Sequence, residues 1–351
     1  MTFNNNHIFK GRIREFENEL VSISLEIGKR RGQTPIITKI LLYLYIHNRL
    51  TQKQLKELTG YSIGTISTHL NAMLSMNFID KKLIPGTHKY TYSLKIDIGY
   101  DRPSLVEMSL DYINQAKKFL KKKRIELNEI PQLKADKFRP ILKRFDELEQ
   151  VIEIYVELFR VLSNPNEKIN IKITPSESES LGFISDLDPN MKLIENDIIE
   201  FFTHTPMFFG KQEIFSSIFV YFITRKTLTQ KKIRKLTGLS AGKVSQEINK
   251  FLELGVIEIM DKAESGQLTY QMSSIASSFM EISHNVLSEY IKWKKKVEEI
   301  HEEMLEKKED LINQNGFDEI LKLVNLFLNI MPIYEKIYEK VKQIRKSIQN
   351  E

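Results

Sequence analysis

Two short stretches of this chain bring together residue types that could do chemistry. In the first, Thr51, Gln52 and Lys53 precede Ser62, Gly64, Thr65, Ser67, Thr68 and His69. Far along the chain the pattern returns as Thr229, Gln230 and Lys231, then Ser240, Gly242, Lys243, Ser245, Gln246 and Lys250. Hydroxyls, amides and ammonium groups at these spacings suit gripping phosphate oxygens and reading base edges, not breaking bonds. A helix starting at Thr51 or Thr229 would turn unpaired backbone N–H groups toward an anion. The hydroxyls of the first stretch approach several base edges without strong preference. Gln246 could pair with adenine and Lys243 could reach guanine or a phosphate. Double-stranded DNA is the expected partner, and the two faces should prefer different half-sites.

Catalytic chemistry finds no such footing. The 7 histidines are scattered without a His-Glu-x-x-His spacing, no Gly-rich phosphate loop occurs, and the absence of cysteine removes thiolate zinc sites. The chain is read as a non-enzyme with no catalytic residue, no metal and no cofactor.

The elements that must position these residues are legible. Ile36, Ile37, Ile40, Leu41 and Leu44 recur at helical spacing after Pro35, which suits a first helical turn. Thr51 can cap a short helix bearing Leu55 and Leu58 on one face, and Gly60 ends it. Ser62 caps a third helix whose buried stripe is Ile66, Leu70, Met73 and Leu74, running to about Met76. Two short helices about a Gly-containing turn predict a helix-turn-helix. Phe78 and Ile79 then begin a strand, Pro85-Gly86 supplies a turn, and Tyr90, Tyr92 and Leu94 alternate as a returning strand. This hairpin is the expected wing, and Lys89 with Lys29, Arg30, Arg31, Lys81 and Lys82 would add charge around the first module.

The whole pattern is duplicated. Residues 50 to 67 and 228 to 245 are identical at ten of eighteen positions. The same offset pairs Glu17 with Glu195, Tyr43 with Tyr221, Asn71 with Asn249, and Thr91-Tyr92 with Thr269-Tyr270. The second hairpin is expected from Val256-Ile257 through a turn at Ser265-Gly266 to Leu268, Tyr270 and Met272, with Asp261 and Glu264 making it less basic. The first module should therefore supply more of the electrostatic affinity. Long helices are predicted at roughly 104–127 and 137–162 after the first hairpin, and 274–311 and 317–348 after the second. The Ser-, Pro- and Asn-rich segment between them marks a connection. The domains are read as 1–162, a linker at 163–192, and 193–351. The fold class is mainly α, with two winged helix-turn-helix modules bearing small β-hairpin wings, joined to long helices in a pseudo-dimeric arrangement.

Of the 351 residues, 41% are hydrophobic and 28% charged, as in an ordinary globular protein. The net charge of +6 is the small excess of 52 basic over 46 acidic side chains, so only local placement can make a basic surface. No apolar run approaches the roughly 18–20 residues that span a bilayer, so no membrane partner is expected and the reading is cytoplasmic. The lysine runs at 117–118, 121–124 and 292–296 read as solvated helix faces. Phe201, Phe202, Phe208, Phe209, Phe215, Phe219 and Tyr221 read as core before ligand pocket.

The stretches Gly28 to Leu44 (GKRRGQTPIITKILLYL) and Leu50 to Ile79 (LTQKQLKELTGYSIGTISTHLNAMLSMNFI) resemble the MarR superfamily, most closely its GbsR-like branch. The resemblance covers residues 16 to 94 well and the rest by order of elements. It implies a transcriptional regulator, expected to be a repressor, that binds DNA through paired winged helices and often senses a small-molecule effector near its long helices. Tandem fusion departs from the family, whose usual members carry one module and dimerise, so one chain would serve as a pseudo-dimer. The apolar long helices also permit a homodimer. The competing reading is a tandem winged-helix protein-interaction scaffold in transcription or chromosome organisation.

Overall fold

The computed structural model describes residues 8–95, 102–131, 139–163, 187, 189–204, 213–260, 268–272 and 274–349. These residues form a mainly helical protein with two small antiparallel sheets. The first half runs α1 (Gly11–Arg30), α2 (Pro35–His47), β1 (Leu50–Thr51), α3 (Gln52–Thr59), α4 (Ile63–Ser75), β2 (Ile79–Leu83), β3 (Tyr90–Leu94), α5 (Arg102–Asn128) and α6 (Arg139–Ser163). The second half runs α7 (Pro189–His204), α8 (Glu213–Arg225), β4 (Thr227–Thr229), α9 (Gln230–Thr237), α10 (Ala241–Glu253), β5 (Glu258–Met260), β6 (Thr269–Gln271), α11 (Ile275–Glu306), α12 (Lys308–Leu311) and α13 (Phe317–Gln349).

Local chemistry accounts for the repeated part. Pro35 stands at the start of α2, where a missing N–H costs nothing, and Ile36, Ile37, Ile40 and Leu44 of that helix are buried. Gly60 and Gly238 end α3 and α9 at φ 79° and 69°, left-handed values that a side chain would strain. The sheets carry one register twice. Leu50 faces Tyr92 and Lys82 faces Thr91, as Leu228 faces Tyr270 and Met260 faces Thr269. In each sheet the returning strand lies in the middle, in the orders β1-β3-β2 and β4-β6-β5. The short strands β1 and β4 lie outside the expected hairpins, since two or three residues carry too little alternation to be read from sequence.

The compact units do not follow the repeat boundaries. One contains residues 1–105 with 288–335, the other 106–287 with 336–351. Each thus combines one short-helix module with long-helix segments from the opposite repeat. In the first unit, Phe9, Ile13, Phe16, Leu20, Ile23 and Ile27 cluster with Val297, Ile300 and Met304 of α11 and Phe317, Ile320 and Val324 of α13. Side chains buried in this way contribute roughly 1.5–3 kcal/mol each. The amphipathic stripe of α1 is covered partly by Ile46 and Leu42 of the neighbouring α2 and partly by helices far along the chain.

In the second unit, aromatic rings fill the core. Phe251 of α10 stacks on Phe215 of α8 at 4.5 Å between centroids, Phe219 meets Phe279 edge-on at 5.3 Å, and Phe119 stacks on Phe201 at 4.2 Å. Phe208 and Phe209 lie outside the described residues. Buried Arg144 of α6 donates to the carbonyls of Ile223 (2.8 Å) and Phe222 (3.3 Å), satisfying the C-terminal end of α8 with a cation. Its guanidinium is also paired with Glu147 at 2.8 Å.

One boundary needs correction. A helix occupies the end of the segment read as a linker, since α7 starts at Pro189. Proline is tolerated in a first turn, and Met191, Ile194, Ile198 and Phe202 form a buried stripe at spacings of three and four. Residues 164–186 of that segment lie outside the described residues, as do the second hairpin turn at Ser265-Gly266, Asp261 and Glu264. Among the described residues no helix is long and apolar enough to cross a membrane.

Candidate nucleic-acid interface

The residues singled out by type and spacing fall on two equivalent surfaces, each built from a short helix, a glycine turn and a second helix. The caps use several of the polar groups. Thr51 accepts the Gln54 N–H through its hydroxyl at 3.2 Å, and the Gln54 side chain accepts the Thr51 N–H at 2.9 Å, a reciprocal box closing the start of α3. Thr229 accepts the Lys232 N–H at 3.2 Å, but lysine at that position cannot return the bond, so α9 starts with a single cap. Gln52 and Gln230 each donate to a strand tyrosine, Tyr92 at 3.2 Å and Tyr270 at 3.0 Å. These glutamines therefore tie the helix start to the sheet, a role their sequence position did not reveal. Lys53 and Lys231 are exposed.

On α4, Ser62 caps the Thr65 N–H at 3.2 Å and its hydroxyl also meets the Thr65 hydroxyl at 2.8 Å. Thr68 donates back to the Gly64 carbonyl at 3.1 Å. Ser67 and His69 are half-buried, and burial holds the His69 imidazole below its ordinary value. On α10, Ser240 caps the Lys243 N–H at 3.3 Å, Ser245 is half-buried and Gln246 is exposed. Ile66, Leu70 and Met73, like Val244, Ile248 and Phe251, are fully buried on the opposite side. The stripe thus fixes which residues each helix presents outward.

Gly64 and Gly242 carry a separate message. Both are exposed in the first turn of their helices, two residues after the capping serine. A Cβ at Gly64 would meet only the Ser62 hydroxyl at 3.9 Å, and at Gly242 nothing within 4 Å. Neither helix needs glycine for its own packing, and both retain it.

The lysines differ between the modules. Lys81 and Lys82 are exposed on β2, Lys89 is exposed beside β3, and the Lys81 ammonium lies 3.9 Å from the Tyr90 ring centre. Arg30 and Arg31, expected to add charge here, turn instead toward α11. Arg30 pairs with Glu289 at 3.3 Å and Arg31 lies over the Tyr290 ring at 5.3 Å, while Lys29 is exposed. In the second module the ammonium groups of Lys243 and Lys250 both reach Glu247 Oε1 at 2.9 Å. Glu247 was passed over in the sequence, although its spacing of four and three residues from two lysines carried the signal. At the positions of Lys81 and Lys82, the second hairpin exposes Ile259 and Met260.

Elsewhere the lysine runs of the long helices are matched by carboxylates. Lys123 pairs with Glu126 at 2.7 Å and also with Asp197, Lys294 pairs with Glu335 at 2.7 Å, and Lys296 pairs with Glu19 at 3.0 Å. Among the described residues no group of three or more histidines, aspartates and glutamates could hold a metal ion. Comparison of the sequence with protein-family models and with curated proteins gives no match.

Proposed function

We propose that this chain is a DNA-binding transcriptional regulator, acting as a repressor, whose two winged helix-turn-helix modules read duplex DNA as a pseudo-symmetric pair within one polypeptide. The observation that carries the reading is the paired surface on α4 and α10. Each helix follows a short capped helix and a left-handed glycine, presents hydroxyl or amide groups outward, and keeps an exposed glycine without a packing reason. An open backbone at that place lets a phosphate or base edge approach closely. The resemblance to the MarR superfamily, GbsR-like branch, supports the same function and adds a small-molecule effector as an expected ligand. The interleaved units support the pseudo-dimer, because each module is completed by helices from the other repeat.

The test is selection of bound fragments from random duplex DNA by the purified full chain, followed by titration of the best fragment at several salt concentrations. The expected outcome is a two-part motif, its half-site centres about 10 base pairs or a multiple apart, bound well above random DNA. Footprinting that protects one half-site only would remove the pseudo-dimer. A single observation favours the scaffold reading: Ile259 and Met260 stand 53% and 42% exposed where the first hairpin has lysines, an apolar surface suited to protein contact. Under that reading the selection returns no enriched motif and a partner protein co-purifies.

A further inference from the structure

Glu247 has no exposed surface, and it sits on α10 between Val244 and Phe251, which are equally buried. An ionised carboxylate in such a place requires compensation. Lys243 and Lys250 supply it from the rim, their ammonium groups 2.9 Å from the same oxygen, with side chains 34% and 45% exposed. Among the described residues the second oxygen, Oε2, is buried without a hydrogen-bond partner, so the compensation described for this carboxylate comes from the two lysines. The equivalent positions of the first module are Thr65, His69 and Ala72. With the imidazole of His69 held neutral by burial near pH 7, that trio carries no charge.

We infer that Glu247 is an internal counter-ion that holds Lys243 and Lys250 back from phosphate, so that α10 reads bases through Gln246 while adding little sequence-independent affinity. The inference rests on the reading of α10 as a DNA-facing helix. Each lysine that swings to a phosphate leaves its buried carboxylate, and if both swing away Glu247 stands buried with no partner, a strongly unfavourable state. The carboxylate also repels any phosphate that approaches the pair. Three charges thus act as one positive charge, and the side chains that a reader of the sequence would assign to phosphate are committed to the fold. Glu247 is a positioning residue on this account, acting through the two lysines.

The experiment compares wild type, Glu247→Gln and Glu247→His in the full chain, titrated with a random-sequence duplex over a range of salt, with thermal melting to confirm that each variant is folded. Glu247→His installs the first module's residue, and a fold that tolerates either variant is sufficient. The expected result is tighter binding to random duplex and a log K against log salt slope steeper by about 0.9 for each lysine released. Adding Lys243→Gln and Lys250→Gln in the Glu247→Gln background should abolish that gain. A folded variant whose slope and affinity for random duplex equal or fall below those of wild type overturns the inference while leaving the DNA-binding reading intact. Wild-type protein that binds no duplex at any salt concentration overturns the DNA-binding reading itself, and this inference with it.

Discussion

At the hairpin of the first module Lys81 and Lys82 stand exposed, while the second module exposes Ile259 and Met260 at the same register positions. On the helix that precedes each hairpin the order reverses: α4 presents Thr65, Thr68 and Gly64, whereas α10 carries Lys243 and Lys250 bound to a buried glutamate. The capping serines and threonines, glycine turns and strand registers that shape the backbone recur in both, although the reciprocal box at Thr51 becomes a single cap at Thr229. Duplication therefore kept the residues that set backbone geometry and released those that set surface charge. A module with free lysines on its hairpin gains affinity from any phosphate backbone, and one with an exposed amide on its helix gains discrimination. Under the proposed DNA-binding function, the two duties would fall to different halves of one chain.

The largest expected effect concerns a buried pair that the two halves build differently. Glu195 of α7 accepts from Arg225 at 2.9 and 2.6 Å and from the Thr224 hydroxyl at 2.5 Å, all within the core. The equivalent Glu17 of α1 meets His47 at 2.7 Å and also Arg14, whose side chain is 22% exposed. Removing Glu195 takes two charge-assisted hydrogen bonds from a guanidinium that is buried in the core. Glu195→Ala should therefore cost about 3–5 kcal/mol. Glu17→Ala should cost less, on the order of 1–3 kcal/mol, because the Arg14 side chain reaches solvent. Urea midpoints of the two variants test the order, and a Glu17→Ala loss equal to or above the Glu195→Ala loss breaks it.

This pair also shows how far the sequence could be read. Glu17 and Glu195 are visible as a repeated carboxylate, but nothing in their spacing says that both are buried or that the partners thirty residues on differ in type. Elements with strong periodicity or a distinctive cap were legible: Pro35 ahead of α2, Thr51 and Ser62 at the starts of α3 and α4, and the stripes of the long helices. Hidden from the sequence was everything decided by contacts between distant segments. The stripe of α1 packs on α11 and α13, so the compact units interleave across the repeats. Gln52 and Gln230 were read as phosphate ligands from their place at a helix start, yet each is engaged by a strand tyrosine. Arg30 and Arg31 were read as a basic patch, yet both turn to a helix more than 240 residues away in sequence. Local chemistry reveals an element, and only tertiary packing reveals which of its polar groups remain available.

An exchange of hairpin residues sharpens the division of duties with a smaller effect. Lys81→Ile with Lys82→Met gives the first hairpin the second's residues, and Ile259→Lys with Met260→Lys does the reverse. All four positions are exposed, so the folded state should change little. If each free lysine neutralises one phosphate, the slope of log K against log salt should become shallower by about 1.8 in the first variant and steeper by about 1.8 in the second. Slopes that stay at the wild-type value in both would mean that the hairpins do not approach the backbone. A change in the second variant alone would reverse the expectation that the first module supplies more of the electrostatic affinity.

The smallest effect comes from His69, the counterpart of Glu247. Burial holds its imidazole below the ordinary value of 6.5, so in the folded chain it gives up its proton before an unfolded chain would. Its contribution to stability is whole above pH 6.5 and is lost as the pH falls through the lower folded value, since the unfolded state then binds more protons. DNA binding should run the other way. A proton gained beside phosphate adds a cation to α4, so the complex should take up a proton as the pH drops below 6.5 and affinity should rise where stability falls. His69→Gln removes the titrating group and keeps a polar side chain. It should flatten that part of the affinity difference between about pH 5.5 and about pH 7.5, while leaving the affinity at the higher pH nearly unchanged. If the full pH dependence survives in His69→Gln, α4 owes none of it to His69, and the neutral trio of the first module has no charged state to set against the pinned lysines of the second.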